Sequence, residues 1–501
     1  MEAYAVETSH GAFAGSRDRF ELVVGWLEGA ESAALTHAEL EARLEVESRE
    51  LFRQLLQDHL DLRAQRERRL DGVVGADGVA RGSVEAGHQR GLATVFGEVS
   101  VERIAYRSRG HANLHPADGV LNLPTEKHSH GLRRLAAVES ARGSFETAVE
   151  AVQRATGQRL GKRVVQQLAE RAAGDFDDFY AQRPRHLSTV GDVLVGSCDG
   201  KGIVMRPEAL REPTRKAAAT ATQKLTTRLS KGEKRNRKRM AEVGAVYDCA
   251  PAPRTPGDIL AGGEGQPQRA AGPKARSKWL LASVVEDAAE VVAQVFDEAD
   301  RRDPERRRCW VALVDGNNHQ LDRITTEARR RGVTVAIVVD FIHVLEYLWR
   351  AAWCFFTEGD AAAEEWVRGH AMAVLSGRSR SVAAAIRGKA TRAGLQPDQR
   401  KNADTCADYL INKRPYLDYP TALARGWPIS TGVIEGACRH LVKDRMDLTG
   451  ARWGLDGAEA ILKLRALHSN GDFADYWRYH LAQEKRRTHQ ARYANGVIPA
   501  P

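Results

Sequence analysis

The spacing of apolar residues predicts helices at the start of the chain. Leucines recur at the period of an amphipathic helix over residues 20–72. Residues 73–93 are rich in glycine and lack a period, so they predict a loop. Residues 94–107 are rich in β-branched and aromatic side chains, which predicts strand structure with a turn or bulge at Gly97.

A pair of helices separated by a glycine is predicted next. Apolar residues continue on one face after Ser144, Gly157 predicts a helix stop, and residues 160–173 resume a helix that carries Lys162 and Arg163. A helix, a turn and a polar, basic helix form the outline of a DNA-reading helix-turn-helix. An ordinary helical hairpin has the same outline, so both interpretations stay open.

From residue 190 the pattern changes to short apolar strands that alternate with helices, which predicts an α/β fold. Residues 202–205 are again apolar, as either a hairpin partner or a continuation of the first strand would be. The predicted strands are 193–199, 243–247, 279–285, 310–315 and 333–339, and the predicted helices are 288–299, 321–331, 342–356, most of 357–428, and a broken region from 430 past 467.

The composition is that of a globular protein with several cores. The chain has 501 residues, of which 43 % are hydrophobic and 28 % are charged, so wholesale disorder is excluded. Its apolar runs are too short to span a bilayer and its first residues lack the features of a signal peptide, so we expect a cytoplasmic protein that binds no membrane. The six cysteines are scattered and form no CxxC pair, which excludes a zinc ribbon and predicts buried, reduced thiols.

The net charge of +9 is concentrated in one segment. Residues 211–239 contain eleven basic and two acidic residues, so the rest of the chain is close to neutral. Such a segment is typical of a protein that binds a polyanion, most often nucleic acid, although a solvated charged helix or loop has the same composition. The basic residues predicted to contact DNA here are Lys231, Lys234, Arg235, Arg237, Lys238 and Arg239.

Three acidic residues occupy positions that are typical of metal ligands in an α/β fold. Two predicted strands end on Asp199 and Asp315, and the carboxyl ends of strands are where α/β sheets build their sites. Glu435 lies in the first turns of a later helix, followed by Arg439 and Lys443 at i+4 and i+8. The glutamate is either a metal ligand beside a basic strip for the DNA backbone or part of a helix with i,i+4 salt bridges, and the spacing alone leaves both interpretations open.

Several longer stretches are similar to one family. The order of strands, acids and helices resembles the core of DDE transposases, and more closely the ISKra4 family of insertion-sequence transposases. The stretches that carry the resemblance are SCDGKGIVMR (197–206), KGEKRNRKRMAEVGAVY (231–247), WVALVDGNNHQ (310–320), VVDFIHVLEYLW (338–349) and STGVIEGACRHLVKDRMDLTGARW (430–453). Together with segments near 96–107 and 144–163, the resemblance covers most of the chain beyond about residue 90.

The resemblance implies an RNase H-like core in which Asp199, Asp315 and Glu435 are the catalytic, metal-binding triad for two Mg²⁺ ions, with Mn²⁺ as a substitute. Mutator-like transposases, a similar group, carry an acidic residue or cysteine, two spacers and a histidine where this chain has Asp340 and His343. The resemblance therefore implies that these two shape the site or contact DNA near the break rather than bind metal, with Arg439 as a further accessory residue. The residues alone suit a helix N-cap and a helix-face histidine. Other acids that could replace a triad member are Asp192, Asp444 and Asp447.

The function implied is that of a bacterial DNA transposase acting at the nucleoid. It would bind double-stranded DNA at the terminal inverted repeats, cleave it, and join the ends to target DNA, as a homo-oligomer assembled on DNA. A silent domesticated DNA-binding protein and a host RNase H-fold nuclease are the alternatives. The expected divisions are an N-terminal helical region (1–90), a β-hairpin with helix-turn-helix-like region (91–185), the first part of the core (186–349) with a basic insertion (207–240) and a mobile loop (250–276), a helical insertion (350–428), the core helix with Glu435 (429–475), and a C-terminal tail (476–501).

Overall fold

The structure is a computed structural model that describes residues 11–184, 189–220, 237–260, 270–448 and 450–500. The chain divides into two compact units, one formed by Met1–Gln182 with Asp472–Pro501 and the other by Arg183–Gly471. No helix among the described residues is both long and apolar enough to cross a bilayer.

Helices open the first unit, as the leucine spacing predicts, but they are broken. Three helices, Ala14–Glu28, Ala30–Ala33 and His37–Arg66, occupy most of the predicted span 20–72, and the first of them begins before it. The long helix begins with a capping box, in which the Thr36 hydroxyl accepts from the Glu39 backbone N–H and the Glu39 carboxylate accepts from Thr36.

The loop prediction for residues 73–93 is wrong in its second half. Strand β1 (Ser83–Ala93) pairs antiparallel with β2 (Glu98–Arg107) around a turn that contains Gly97, whose φ is 141°. Most β1 side chains are exposed, so its own sequence lacks a strand pattern. The hydrogen bonds that make it a strand come from β2, which is the half with alternating burial.

Three helices form the centre of this unit: His130–Arg142, Phe145–Thr156 and Lys162–Ala172. Ser129 and Ser144 cap the first two, and Gly157 ends the second in a left-handed conformation with φ 71°. Their buried apolar faces meet in one core. The helix, glycine stop and helix predicted from the sequence are confirmed, with the last helix beginning at Lys162.

The prediction of a tail over 476–501 is wrong, since most of the helix Phe473–Thr488 falls within it. Tyr476 and His480 are fully buried, and the Tyr476 hydroxyl donates to the backbone carbonyl of Ala172 at 2.6 Å. The side chain of Arg133 pairs with Glu484 at 2.6 Å. Shorter elements of this unit are the helices Pro116–Val120 and Phe176–Gln182 and the 3₁₀ turns Gln490–Arg492 and Ala494–Gly496.

The second unit contains a mixed sheet of five strands in the order β5-β4-β3-β6-β7. The chain is therefore α/β, as predicted. β3 is antiparallel to β4, and β4 to β5, whereas β3, β6 and β7 are parallel to one another. The strands are β3 (Val193–Val204), β4 (Lys238–Cys249), β5 (Ala275–Ser283), β6 (Trp310–Val314) and β7 (Val335–Val339).

Helices cover the sheet and continue beyond it, as the apolar pattern predicts for 357–428. Those around the strands are Glu212–Thr220, Pro256–Leu260, Ala288–Arg302, Asn318–Arg331 and Phe341–Ala352, with a 3₁₀ turn at Pro207–Ala209. Those that follow are Ala361–Leu375, Ser379–Arg392, Pro397–Asn412, Tyr419–Ala424, Gly432–Ala437, Asp444–Met446 and Leu455–Asn470, with a 3₁₀ turn at Arg414–Tyr416 and a π-helix at Cys438–Lys443. One apolar core joins the sheet to the helices between residues 341 and 429.

Candidate active site

The register of the parallel strands aligns three aspartates at one edge of the sheet. Gly196 pairs with Ala312 between β3 and β6, and Val314 pairs with Val339 between β6 and β7. Continued along the strands, the same register sets Asp199 beside Asp315 and Asp315 beside Asp340. The Asp340 backbone N–H donates to the carbonyl of Val314 at 2.8 Å, so the alignment of β7 with β6 holds at this level. Neighbouring strands are about 5 Å apart, which brings the carboxylates into one region.

Asp199 lies within its strand and does not end it, which corrects the predicted strand end. β3 runs on to Val204 because it stays paired with β4 after β6 has stopped. Residues 202–204 are therefore a continuation of the strand and not its hairpin partner. Asp192, the alternative acid, precedes the other end of β3, roughly 20 Å away by strand geometry, and pairs with Arg276 at 2.8 Å.

The turn after β6 holds Asp315 at the sheet edge. The Asp315 carboxylate accepts from the Asn317 backbone N–H at 2.8 Å, and Gly316 has a φ of 90°. Tyr409 donates its hydroxyl to the Asp315 carbonyl at 3.3 Å. Burial raises the pKa of Tyr409, and the nearby carboxylates add to the effect, so this hydroxyl keeps its proton.

Thr431 connects Glu435 to Asp340. Its hydroxyl donates to Oδ2 of Asp340 and lies 3.1 Å from Oε1 of Glu435. Asp340 is fully buried, caps the helix Phe341–Ala352 through the Ile342 backbone N–H at 2.8 Å, and has a pKa raised by that burial. The capping role expected from the residues alone is confirmed, and the same side chain accepts from the hydroxyl that faces Glu435.

Asp340, His343 and Glu435 form a group that could hold a metal ion, since their ligand atoms all lie within 4.8 Å of one another. Across the described ranges no other such group of three is found. Asp199 and Asp315, which the resemblance assigns to the triad, are not members of it. Taken together, the carboxylates around this edge are the oxygen ligands that Mg²⁺ prefers, so the residues present fit a magnesium site.

Cys438 links the helix of Glu435 to Asp199, although the sequence analysis predicted for it only a buried, reduced thiol. Its Sγ donates to Oδ2 of Asp199 at 3.2 Å. Burial, together with the charge of Asp199, raises the pKa of this thiol, so it remains a protonated donor. The signal that could have found it is its position one turn after Glu435 on the same helix.

Glu242 is a second residue that the sequence analysis missed. Glu242 of β4 pairs with Gly200 of β3, the residue that follows Asp199, and its carboxylate is half-buried. Burial raises the pKa of Glu242, and the negative charge of Asp199 raises it further. Side chains alternate along a strand, so Glu242 lies on the opposite face of the sheet from Asp199 and the two interact through their charges. Only the antiparallel pairing brings the two acids near each other, so no spacing along the chain could have identified this interaction.

The basic residues after Glu435 do not continue one helical face as predicted. Residues Cys438–Lys443 form a π-helix, whose wider turns rotate later side chains away from the i+4 and i+8 pattern. Arg465 donates its Nε to the carbonyls of His440 and Leu441, both at 3.0 Å, which satisfies groups that the wide turn leaves open. Arg439 is exposed and lies 3.8 Å from Asp444, and Lys443 is also exposed.

The other basic residues predicted to contact DNA differ in their exposure to solvent. Lys162 and Arg163 are exposed at the start of their helix, and Lys162 pairs with Glu146 at 2.8 Å. Lys238 is exposed and Arg237 half-buried, whereas Arg239 donates its Nε to the carbonyl of Val284 at 2.7 Å and so serves the fold. Lys231, Lys234 and Arg235 lie outside the described residues, as does the middle of the predicted mobile loop.

No protein-family model matches this chain, and no curated protein matches it either.

Proposed function

We propose that this protein is a DNA transposase of an insertion sequence, built on an RNase H-like core. The proposal is supported by the strand order, in which an antiparallel β5-β4-β3 half joins a parallel β3-β6-β7 half, and by the helices that separate β7 from Glu435. The main supporting observation is that the strand register aligns Asp199 with Asp315. In addition, Cys438, which follows Glu435 in the chain, donates a hydrogen bond to Asp199.

In this proposal Asp199, Asp315 and Glu435 hold two Mg²⁺ ions. When bound, such a pair of ions activates the attacking oxygen and stabilises the leaving oxygen of a phosphodiester. Asp340 lies in one group with His343 and Glu435. In this proposal it either positions Glu435 through Thr431 or is itself a metal ligand.

The protein's own contribution is to fix the carboxylates before DNA arrives. Asp199 accepts from the Gly200 backbone N–H at 2.7 Å and from the Cys438 thiol. Ligands that are already held in place by hydrogen bonds need less rearrangement when a metal ion binds, so these supporting hydrogen bonds favour binding. Exposed basic residues such as Lys162, Arg163 and Lys238 would contact phosphates and position the DNA without reading its sequence.

An excision assay tests this proposal. The DNA that flanks the gene is cloned around a marker, and the wild-type protein is expressed beside Asp199→Asn and Asp192→Asn. We expect excision by the wild type and by Asp192→Asn, because Asp192 is ion-paired to Arg276 at the far end of the same strand. Asp199→Asn should lose excision by about a hundredfold or more.

Binding to the same flanks by gel shift separates the alternatives. Asp199→Asn should still bind, since a catalytic carboxylate is not needed for contacts to phosphates. Flanks that are bound but never excised by any form would indicate a silent DNA-binding protein. Excision by Asp199→Asn at the wild-type rate would remove that residue from the site.

A further inference from the structure

The first helix, Ala14–Glu28, packs against the long helix, His37–Arg66, through polar side chains. Ser16 donates to the Asp58 carboxylate through its backbone N–H at 2.9 Å and through its hydroxyl at 2.6 Å. Glu47 is buried in the same contact and forms ion pairs with one arginine from each helix. All residues of the first helix are described, and Ser16 is the only buried one. This contact therefore leaves the apolar side chains of the first helix uncovered.

The apolar side chains of both helices lie beside this polar contact. They recur every three, four or seven residues, which is the spacing of one helix face. We call six of them the apolar face: Phe20, Val24 and Leu27 on the first helix, and Leu44, Leu51 and Leu55 on the long helix. All six are described, none is buried, and Phe20 is 53 % exposed. A contiguous apolar surface of this kind marks a site of protein contact.

The two halves of the apolar face are turned to the same side of the helix pair. The start of the first helix bonds the end of the long helix, and at the opposite end Arg43 lies 5.7 Å from the centre of the Trp26 ring. The helices are therefore antiparallel. Leu27 directly follows Trp26, and Leu44 directly follows Arg43. An equal step around two antiparallel, right-handed helices leads to the same side, so the apolar residues form one surface.

The long helix is acidic at one end of the apolar face and basic at the other. Glu41 and Glu45 lie beside the face in the first half of the helix, Arg63 and Arg66 lie in its last turns, and all four are exposed. Within one copy, each glutamate contacts a side chain one turn away on the same helix, and such exposed pairs contribute little. Two long helices that meet antiparallel across a twofold axis place each acidic end opposite a basic end. The charge pattern therefore complements a second copy of the same surface.

The size of this side of the helix pair also suits a dimer. The helices have 15 and 30 residues. At about 1.5 Å per residue and about 10 Å in width, one side of the pair covers roughly 700 Å². A stable protein interface buries about 800 Å² on each partner. We propose that two copies of this chain form a twofold dimer in solution, without DNA, by packing their apolar faces together with the long helices antiparallel. This inference does not depend on the proposed function.

Sedimentation velocity of the full chain, without DNA and over a range of micromolar concentrations, tests the proposed dimer. The wild type should sediment as a species with twice the mass of one chain. Leu27→Glu should weaken the dimer about a hundredfold or more, because the twofold axis buries two copies of the new charge. Leu22→Glu is the matched control. Leu22 is 65 % exposed on the same helix but lies about 140° around it from Leu27, so this variant should match the wild type.

Charge reversal tests the antiparallel arrangement. Glu41→Arg or Arg63→Glu alone should raise the Kd of the dimer about threefold to tenfold, because each sets like charges opposite each other at both ends of the interface. The two changes in one chain restore opposite charges and should recover most of the wild-type affinity. Both residues are exposed in a single copy, so each variant should keep the helical circular dichroism of the wild type.

Three results would overturn the proposal. A wild type that stays monomeric would leave the apolar face to a different protein. A dimer that Leu22→Glu weakens as much as Leu27→Glu would use another surface. A double charge variant that recovers no affinity would contradict the antiparallel pairing. Because these measurements involve neither DNA nor cleavage, their outcome is separate from that of the excision assay.

Discussion

Replacing Thr431 with valine removes one hydroxyl from between two carboxylates and keeps the shape of the side chain. Thr431 is 3 % exposed and its hydroxyl donates to Asp340, which is 0 % exposed. A buried carboxylate that loses a donor cannot replace it with water. The variant therefore reports directly on the contact that joins Asp340 to Glu435.

The expected loss of folding free energy depends on the hydrogen-bond donors that Asp340 keeps in the variant. Hydrogen bonds to charged groups contribute about 1.5–3 kcal/mol. Asp340 keeps the backbone N–H of Ile342 at 2.8 Å and that of residue 431, both of which valine leaves in place. We therefore expect a loss at the lower end, about 1.5–2 kcal/mol, which corresponds to a fall in Tm of about 3 to 8 °C for a unit of this size.

Thermal unfolding followed by circular dichroism measures this change. Thr325→Val is the matched control, because its hydroxyl donates at 2.7 Å to the Leu321 carbonyl within one helix and bonds no carboxylate. The control should shift Tm by about 2 °C or less. If Thr431→Val is no less stable than Thr325→Val, the hydroxyl does not hold a buried carboxylate and the reasoning about this site is refuted.

Cys438→Ala should slow DNA cleavage while Cys438→Ser, which retains a donor to Asp199, should recover most of the rate; equal rates for both variants would argue against a positioning role. Deleting residues 472–501 should destabilise the rest of the first unit, because Arg133 would lose Glu484, one of its two carboxylate partners, and Asp175 would lose both His480 and Arg487; faster limited proteolysis of the shortened chain would reveal this. Stability should fall as pH falls from about 6.5 towards 4, on the order of a few kcal/mol, because burial lowers the pKa of His115 and of His130 to about 4 while their unfolded rings protonate near 6.5. Urea titrations at pH 7 and pH 5 with equal midpoints would contradict that expectation.

The pattern of apolar residues was sufficient to locate helices and strands whose period is contained in their own sequence. The helix Ala288–Arg302 and the strands β6 and β7 lie close to their predicted ranges, because a buried strand or an amphipathic helix carries its period in its own residues. The acids of the proposed site could also be selected, since a carboxylate that directly follows an apolar run is visible in the sequence. Their metal-binding roles remain predictions.

Elements that depend on a partner could not be found in this way. β1 is a strand because β2 pairs with it, and the helix Phe473–Thr488 belongs to the first unit because its buried side chains reach residues some three hundred positions earlier. The interaction of Glu242 with Asp199 was missed for the same reason, since only the pairing of β4 with β3 brings these two charges near each other.

The sequence by itself determined the α/β alternation, the concentration of positive charge and the set of acids from which a site could be built. Only the tertiary structure decided that Asp340, His343 and Glu435 lie close enough together to hold a metal ion, and that Cys438 reaches Asp199. The physical reason is that a period or a charge is a property of neighbouring residues. A carboxylate's partners are instead set by strand register and helix packing, which join parts of the chain that are far apart in sequence.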